Sequence, residues 1–356
     1  MFCEDVNVML KTVRNAFWNS IEFAERRQIN AIQESKLRAQ LNHIYWNSPF
    51  YQKKMSNSIK KVNKPEDLKH VPVTTRAELE EDVEATKDIF GGRLCTTMDK
   101  ILYPISPPEF PIKRVPVGTA ITYSDHAVVV EHLIRQCIMI GIKNGDTIQV
   151  QCNGWEPLNF AYFSPMFGAA TPPNVGEILE LNVIPLEIIV VDMARTIHTA
   201  RYFQPTAVYT NKAALMFMED IINKEKGNPK QLGYQQIIVR EDKTTLSSRE
   251  RKTLEDKWGA EVYSMLDVQD NLFYAMDCPE HKGLHVWEDG FIVEITEKDT
   301  GEPLEPGQKG MLTITNLFAE ATPLIRYQTE VEATLTFEKC PCGRTHARII
   351  PPNYNL

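Results

Sequence analysis

The chain has 356 residues, 43% of them hydrophobic and 24% charged, with a formal net charge of −8. That is the composition of an ordinary globular protein of about two domains or one large α/β unit. With no basic run and no apolar stretch near the ~20 residues of a membrane helix, it argues against binding to nucleic acid or insertion in a membrane. Glu4 and Asp5 with no apolar run behind them leave no secretory signal, and seven scattered cysteines do not suggest a disulfide scaffold. We expect a cytoplasmic protein.

In chain order, residues 11–56 read as helix through Leu37, Leu41 and Ile44, broken at Ser48-Pro49-Phe50-Tyr51. Lys64-Pro65 and Thr74-Thr75 place cap-like residues ahead of short helices. Five prolines between Pro104 and Pro116 mark a loop. A helix over 124–142 leads to a strand over 146–152, with a further loop at Gly168–Pro173. Strands over 184–191 and 207–210 flank a helix at 192–203, and a helix over 247–258 precedes a strand at 261–265. This alternation predicts a largely parallel sheet covered on both faces. Strand-like segments at 290–296, 309–315 and 333–337 follow, with turns at Thr300-Gly301 and Pro306-Gly307, and predict a β-rich subdomain.

The most specific chemical pattern is Cys278-Pro279-Glu280-His281-Lys282-Gly283-Leu284-His285, answered by Cys340-Pro341-Cys342. Thiolates with an imidazole suit tetrahedral Zn²⁺, and four protein ligands would make such a zinc structural. His281 and His285 compete for the fourth place. The alternative, free buried cysteines beside surface histidines, stays open.

Gly283-Leu284-His285, Phe291-Ile292-Val293-Glu294-Ile295, Thr300-Gly301-Glu302, Pro323-Leu324-Ile325-Arg326-Tyr327 and Cys342-Gly343-Arg344-Thr345 resemble the phenylacetate–CoA ligase and coenzyme F390 synthetase family of adenylate-forming enzymes. Trp18-Asn19, Ser48-Pro49-Phe50-Tyr51, Pro72-Val73-Thr74-Thr75, Gly145-Asp146 and Trp258-Gly259 extend the resemblance over nearly the whole chain. It implies an α/β fold, the large N-terminal domain of such an enzyme, with mixed α/β sheets plus a distorted β-barrel. On that basis residues 1–270 are expected to form the α/β core with the substrate pocket, and 271–350 a zinc-binding barrel. The family's small C-terminal domain, which carries the adenylation lysine, is expected to be absent, since the chain stops at Leu356. The resemblance also implies zinc at Cys278, His285, Cys340 and Cys342, favouring His285 over His281.

Departures from the family fall on its nucleotide motifs. The phosphate loop reads Ser106-Pro107-Pro108-Glu109-Phe110-Pro111-Ile112-Lys113, where prolines remove donors and Glu109 repels phosphate. The adenine turn falls at Arg240-Glu241-Asp242-Lys243, the Mg²⁺-binding acid becomes Asp267, and the ribose-binding acid becomes Val331. Binding of ATP and Mg²⁺ is therefore doubtful. The expected substrate is an acyl or aryl group, free or as a CoA or carrier-protein thioester, with a biosynthetic partner protein and a homodimer as further expectations. Trp155, Phe160, Tyr162, Phe163, Tyr209 and Asn211 are the expected substrate-binding residues, although aromatics beside a strand also serve as core. Asp267, Cys152 and His126 are the catalytic candidates: an acid at a strand end, a thiol that an adjacent base would activate, and that base. A cysteine there is also read as a small buried hydrophobe. Three functions compete: an ATP-independent enzyme on preactivated thioesters, a non-catalytic binding protein, and an ATP-dependent ligase with compensated motifs.

Overall fold

The computed structural model describes residues 17–55, 58–105, 115–152, 161–164, 172–188, 193–352 and 354. The N-terminal helical region is interrupted twice: a 3₁₀ turn at Ser20–Phe23, then α1 (Arg26–Asn47) and α2 (Pro49–Met55). The second break is local chemistry. Pro49 lacks the N–H that would continue α1 but suits the first position of a new helix, and the Ser48 hydroxyl accepts from the Tyr51 N–H at 3.2 Å. Thr75 caps α3 (Arg76–Thr86) in a reciprocal capping box with Glu78.

Strands β1 (Ile101–Ile105) and β2 (Thr119–Thr122) form a small antiparallel ribbon, so Pro104 lies in a strand rather than in the expected loop. Residues 106–114 lie outside the described ones. Next come α4 (Tyr123–Met139), β3 (Thr147–Cys152), α5 (Val175–Ile178), β4 (Asn182–Glu187), α6 (Met193–Phe203) and β5 (Ala207–Thr210). Then follow α7 (Lys212–Lys224), β6 (Gln236–Asp242), α8 (Ser248–Trp258) and β7 (Glu261–Val268). The strands run parallel in the order β4-β3-β5-β6-β7. Side chains alternate across this sheet with period two. Tyr209, Ile238 and Tyr263 join the cluster under α4, while Val208, Ile237 and Val262 pack beneath α6, α7 and α8. The expected two-sided burial is thus explained strand by strand.

The expectation of a largely parallel sheet holds only up to Val268. From β8 (Phe273–Asp277) through β9 (Leu284–His285), β10 (Phe291–Thr296), β11 (Gly310–Asn316), β12 (Tyr327–Thr336) and β13 (Arg348–Ile350), every pairing is antiparallel. These strands continue the same hydrogen-bonded series, β7-β8-β9-β13-β12-β11-β10, around a second apolar cluster that includes Phe273, Phe291, Leu312 and Ile349. Arg326 ties this part together: its guanidinium meets both Glu294 oxygens at 3.0 Å and donates to the Val71 and Gly301 carbonyls. No helix among the described residues is long and apolar enough to cross a membrane.

Candidate functional site

Parallel strands present their C-terminal ends to one rim of the sheet, where α/β folds place ligands. At that rim stand Cys152 of β3, Thr210 of β5, Arg240 of β6 and Asp267 of β7, with the first turn of α4 alongside. Thr122 caps α4 and its capping box with Asp125 fixes the first turn, directing His126 inward. Arg240 pairs in register with Met265, so Asp267, two residues on, projects to the same side of the sheet. The Arg240 guanidinium donates to Asp267 Oδ2 at 2.6 Å, with the two side chains 3% and 0% exposed. It also lies 6.0 Å over the Tyr209 ring.

Aromatic rings extend from this pair. Phe163 lies 4.9 Å from Tyr209, Tyr162 lies 6.2 Å from Tyr274, and His126 lies 5.1 Å from Tyr162 and 5.9 Å from Tyr103. Burial pushes the His126 imidazole down to about 4, against weak attraction from the Pro173 carbonyl, so the ring is neutral. Burial, reinforced by the Asp267 charge, holds the Tyr162 and Tyr274 hydroxyls well above the usual phenol range.

The structure therefore brings Asp267, His126, Tyr162, Phe163 and Tyr209 into one neighbourhood. Cys152 is fully buried in the same apolar cluster. Asn211 is the N-cap of α7, accepting from the Ala214 N–H at 2.9 Å. Trp155, Phe160 and the phosphate-loop segment 106–113 lie outside the described residues. Val331, at the expected ribose position, packs into the second apolar cluster, among the antiparallel strands. Sequence reasoning overlooked Tyr103, Tyr274 and the Arg240–Asp267 pair; opposite charges near the ends of neighbouring parallel strands were the available signal. It also overlooked Asp270, where burial raises the carboxyl but Lys243 and Arg76 outweigh it and hold it low.

Among the antiparallel strands, Cys278, His285, Cys340 and Cys342 converge, their ligand atoms all within 4.8 Å of one another. A tetrahedral ion with metal–sulfur bonds of about 2.3 Å sets sulfur–sulfur separations near about 3.8 Å. Cys278 Sγ and Cys340 Sγ stand 3.7 Å apart, and Cys342 Sγ lies 3.5 Å from His285 Nε2. His285 is thus placed to use Nε2. His281 is turned away, with Nδ1 2.8 Å from Asp277 Oδ2. The hairpin carrying Cys340 and Cys342 also grips the N-terminal segment. Arg344 Nε donates to Glu22 Oε2 at 2.8 Å, the Thr345 N–H to the Glu22 carbonyl, and the Thr345 hydroxyl to the Ala24 carbonyl.

No protein-family model matches the chain. Among curated proteins, the phenylacetate–coenzyme A ligase of Thermus thermophilus is 25% identical over 347 residues, 93% of this chain and 71% of that protein. The enzyme of the same name from Escherichia coli K12 is 26% identical over 330 residues, 89% of this chain and 69% of its own. Among solved structures, a 2-hydroxyisobutyryl-CoA ligase in complex with 2-HIB-AMP and CoA superposes with a TM-score of 0.81 at 20% identity, covering 94% of this chain and 76% of that one. Over nine-tenths of its length the chain is similar in sequence to phenylacetate–coenzyme A ligases, and its fold is the one seen in solved CoA ligases.

Proposed function

We propose that this phenylacetate–CoA-ligase-like chain no longer adenylates. It acts without ATP on an acyl or aryl group already carried as a CoA or carrier-protein thioester, by transfer, cyclisation or hydrolysis. The observation that carries this reading is the buried Arg240–Asp267 pair. A metal ion held by Asp267 would have to share its carboxylate with a buried guanidinium 2.6 Å from Oδ2, whose charge opposes a cation there. Val331 in the apolar cluster and the proline-rich, acid-bearing segment 106–113 point the same way.

In such a reaction the acyl carbon–sulfur bond breaks as a bond to an incoming nucleophile forms, and the nucleophile's proton ends on the leaving thiolate. A neutral His126 is suited to move that proton. Asp267 holds Arg240 in place over Tyr209, and Cys152 packs beneath. Tyr162, Phe163 and Tyr209 line the acyl site. We place this site in a core of residues 1–270.

Residues 271–350 form the barrel, in which Cys278, His285, Cys340 and Cys342 hold Zn²⁺. Three thiolates and one imidazole fill a tetrahedral shell and leave no open position, so the ion stabilises the hairpin and supplies no chemistry to the acyl site. Full burial of both His126 and Cys152 favours a second reading, a non-catalytic protein that binds a carrier protein or biosynthetic partner. Free-thiol release from a panel of acyl and aryl thioesters separates the two. Turnover that falls at least about 100-fold in His126→Phe supports the enzyme. A folded, zinc-loaded protein inert toward every thioester supports the second reading.

A further inference from the structure

Four polar atoms are buried without a hydrogen-bond partner in one small region: the Tyr103 and Tyr162 hydroxyls and both ring nitrogens of His126. They come from three separate segments, β1, the stretch 161–163 and the first turn of α4, and His126 stands between the two tyrosines. The Pro173 carbonyl and the Tyr274 hydroxyl approach this region without completing a hydrogen bond. Each orphaned buried group costs about 1–3 kcal/mol, so native interiors rarely keep one, let alone several together. Such a cluster is best explained by a polar group that arrives with a ligand.

Its chemistry follows from the surroundings. A neutral imidazole offers one donor and one acceptor, and each phenol offers both. An anion is disfavoured: the Asp125 and Asp267 charges already push the Tyr162 hydroxyl up. A cation would find both nearby carboxylates engaged. Asp267 is paired with Arg240, and Asp125 accepts from the backbone N–H groups of Thr122, Glu320 and Ala321. What remains is an uncharged group that both donates and accepts.

We propose that His126, flanked by Tyr103 and Tyr162, binds a hydroxyl group on the acyl or aryl moiety, so that the substrate is a hydroxylated acyl or aryl thioester. This inference rests on the reading of the rim as an acyl site, and the experiment separates the two. The probes are non-hydrolysable pantetheine amides of phenylacetic acid and of its ortho-, meta- and para-hydroxy forms, titrated calorimetrically into the full chain. At least one hydroxylated probe should bind about tenfold or more tighter than the unsubstituted one. His126→Phe, which keeps the ring shape, should bring that ratio to about one while the unsubstituted probe still binds. Tyr162→Phe should lower the ratio independently, which covers the case of a His126→Phe protein that folds poorly. Equal binding of all probes to the wild type overturns the inference alone and assigns the orphaned atoms to buried water. Failure of every probe to bind overturns the acyl-site reading and the inference together.

Discussion

Replacing Arg240 by methionine tests the pair on which the functional reading depends. Asp267 is fully buried and receives the Arg240 guanidinium at 2.6 Å, from a side chain only 3% exposed. Water cannot take over that contact. The variant keeps side-chain volume over Tyr209 but takes the guanidinium from a buried carboxylate, and removing one partner of a buried ion pair costs about 3–5 kcal/mol. That is a large fraction of the ~5–15 kcal/mol that holds a typical protein folded. Adding Asp267→Asn removes the buried charge, so the double variant should recover about 2 kcal/mol relative to Arg240→Met alone. Urea unfolding followed by tryptophan fluorescence at pH 7 reads both numbers. An Arg240→Met protein within about 1 kcal/mol of wild type, with no recovery in the double variant, would refute the reasoning.

Metal analysis of purified protein should find about one Zn²⁺ per chain. Chelation or Cys340→Ser should then speed proteolysis within residues 18–26 and raise hydrogen exchange at the Thr345 N–H, because Arg344 and Thr345 of the same hairpin clamp Glu22 and Ala24. Unchanged protection after metal loss would sink that coupling. His126 has its native value lowered from 6.5 to about 4. The unfolded chain therefore binds the proton first, and stability is lost as pH falls from about 6.5 to about 4. At roughly 1.4 kcal/mol per tenfold change in proton affinity this amounts to on the order of 3 kcal/mol, and His126→Phe should flatten that part of the curve. Burial also lowers His132, to about 3, and its share should persist. Gly283→Ala should loosen the metal site, measured as faster zinc loss to a chelator. Its φ of +104° disfavours any side chain, and a Cβ there would lie 2.4 Å from Ile350 Cδ1, next to the strand that carries His285.

Much of this architecture was readable from local patterns, where the deciding interactions are near in sequence. The capping box at Thr75, the strand at 207–210 and the helix ending at Trp258 each rest on neighbours within a few residues. The Cys278–His285 and Cys340–Cys342 clusters were legible because thiol and imidazole spacing is itself chemical information. What escaped was long-range. Nothing local says that Arg240 turns onto Asp267, or that Tyr103 from an early ribbon meets His126. His285 was separable from His281 only by resemblance; in three dimensions the Asp277 carboxylate holds His281 away from the thiols. Crowded prolines make the stretch around Pro104 look like a loop, yet an edge ribbon tolerates a missing N–H.

The account stands or falls on whether ATP is a substrate. Calorimetric titration of the zinc-loaded chain with ATP and Mg²⁺, paired with carboxylate-dependent pyrophosphate exchange, asks this directly. The Arg240–Asp267 pair predicts no saturable heat and no exchange, in a protein that still binds thioester analogues. One-site binding of ATP with exchange above background would contradict the account and identify a working adenylate-forming ligase.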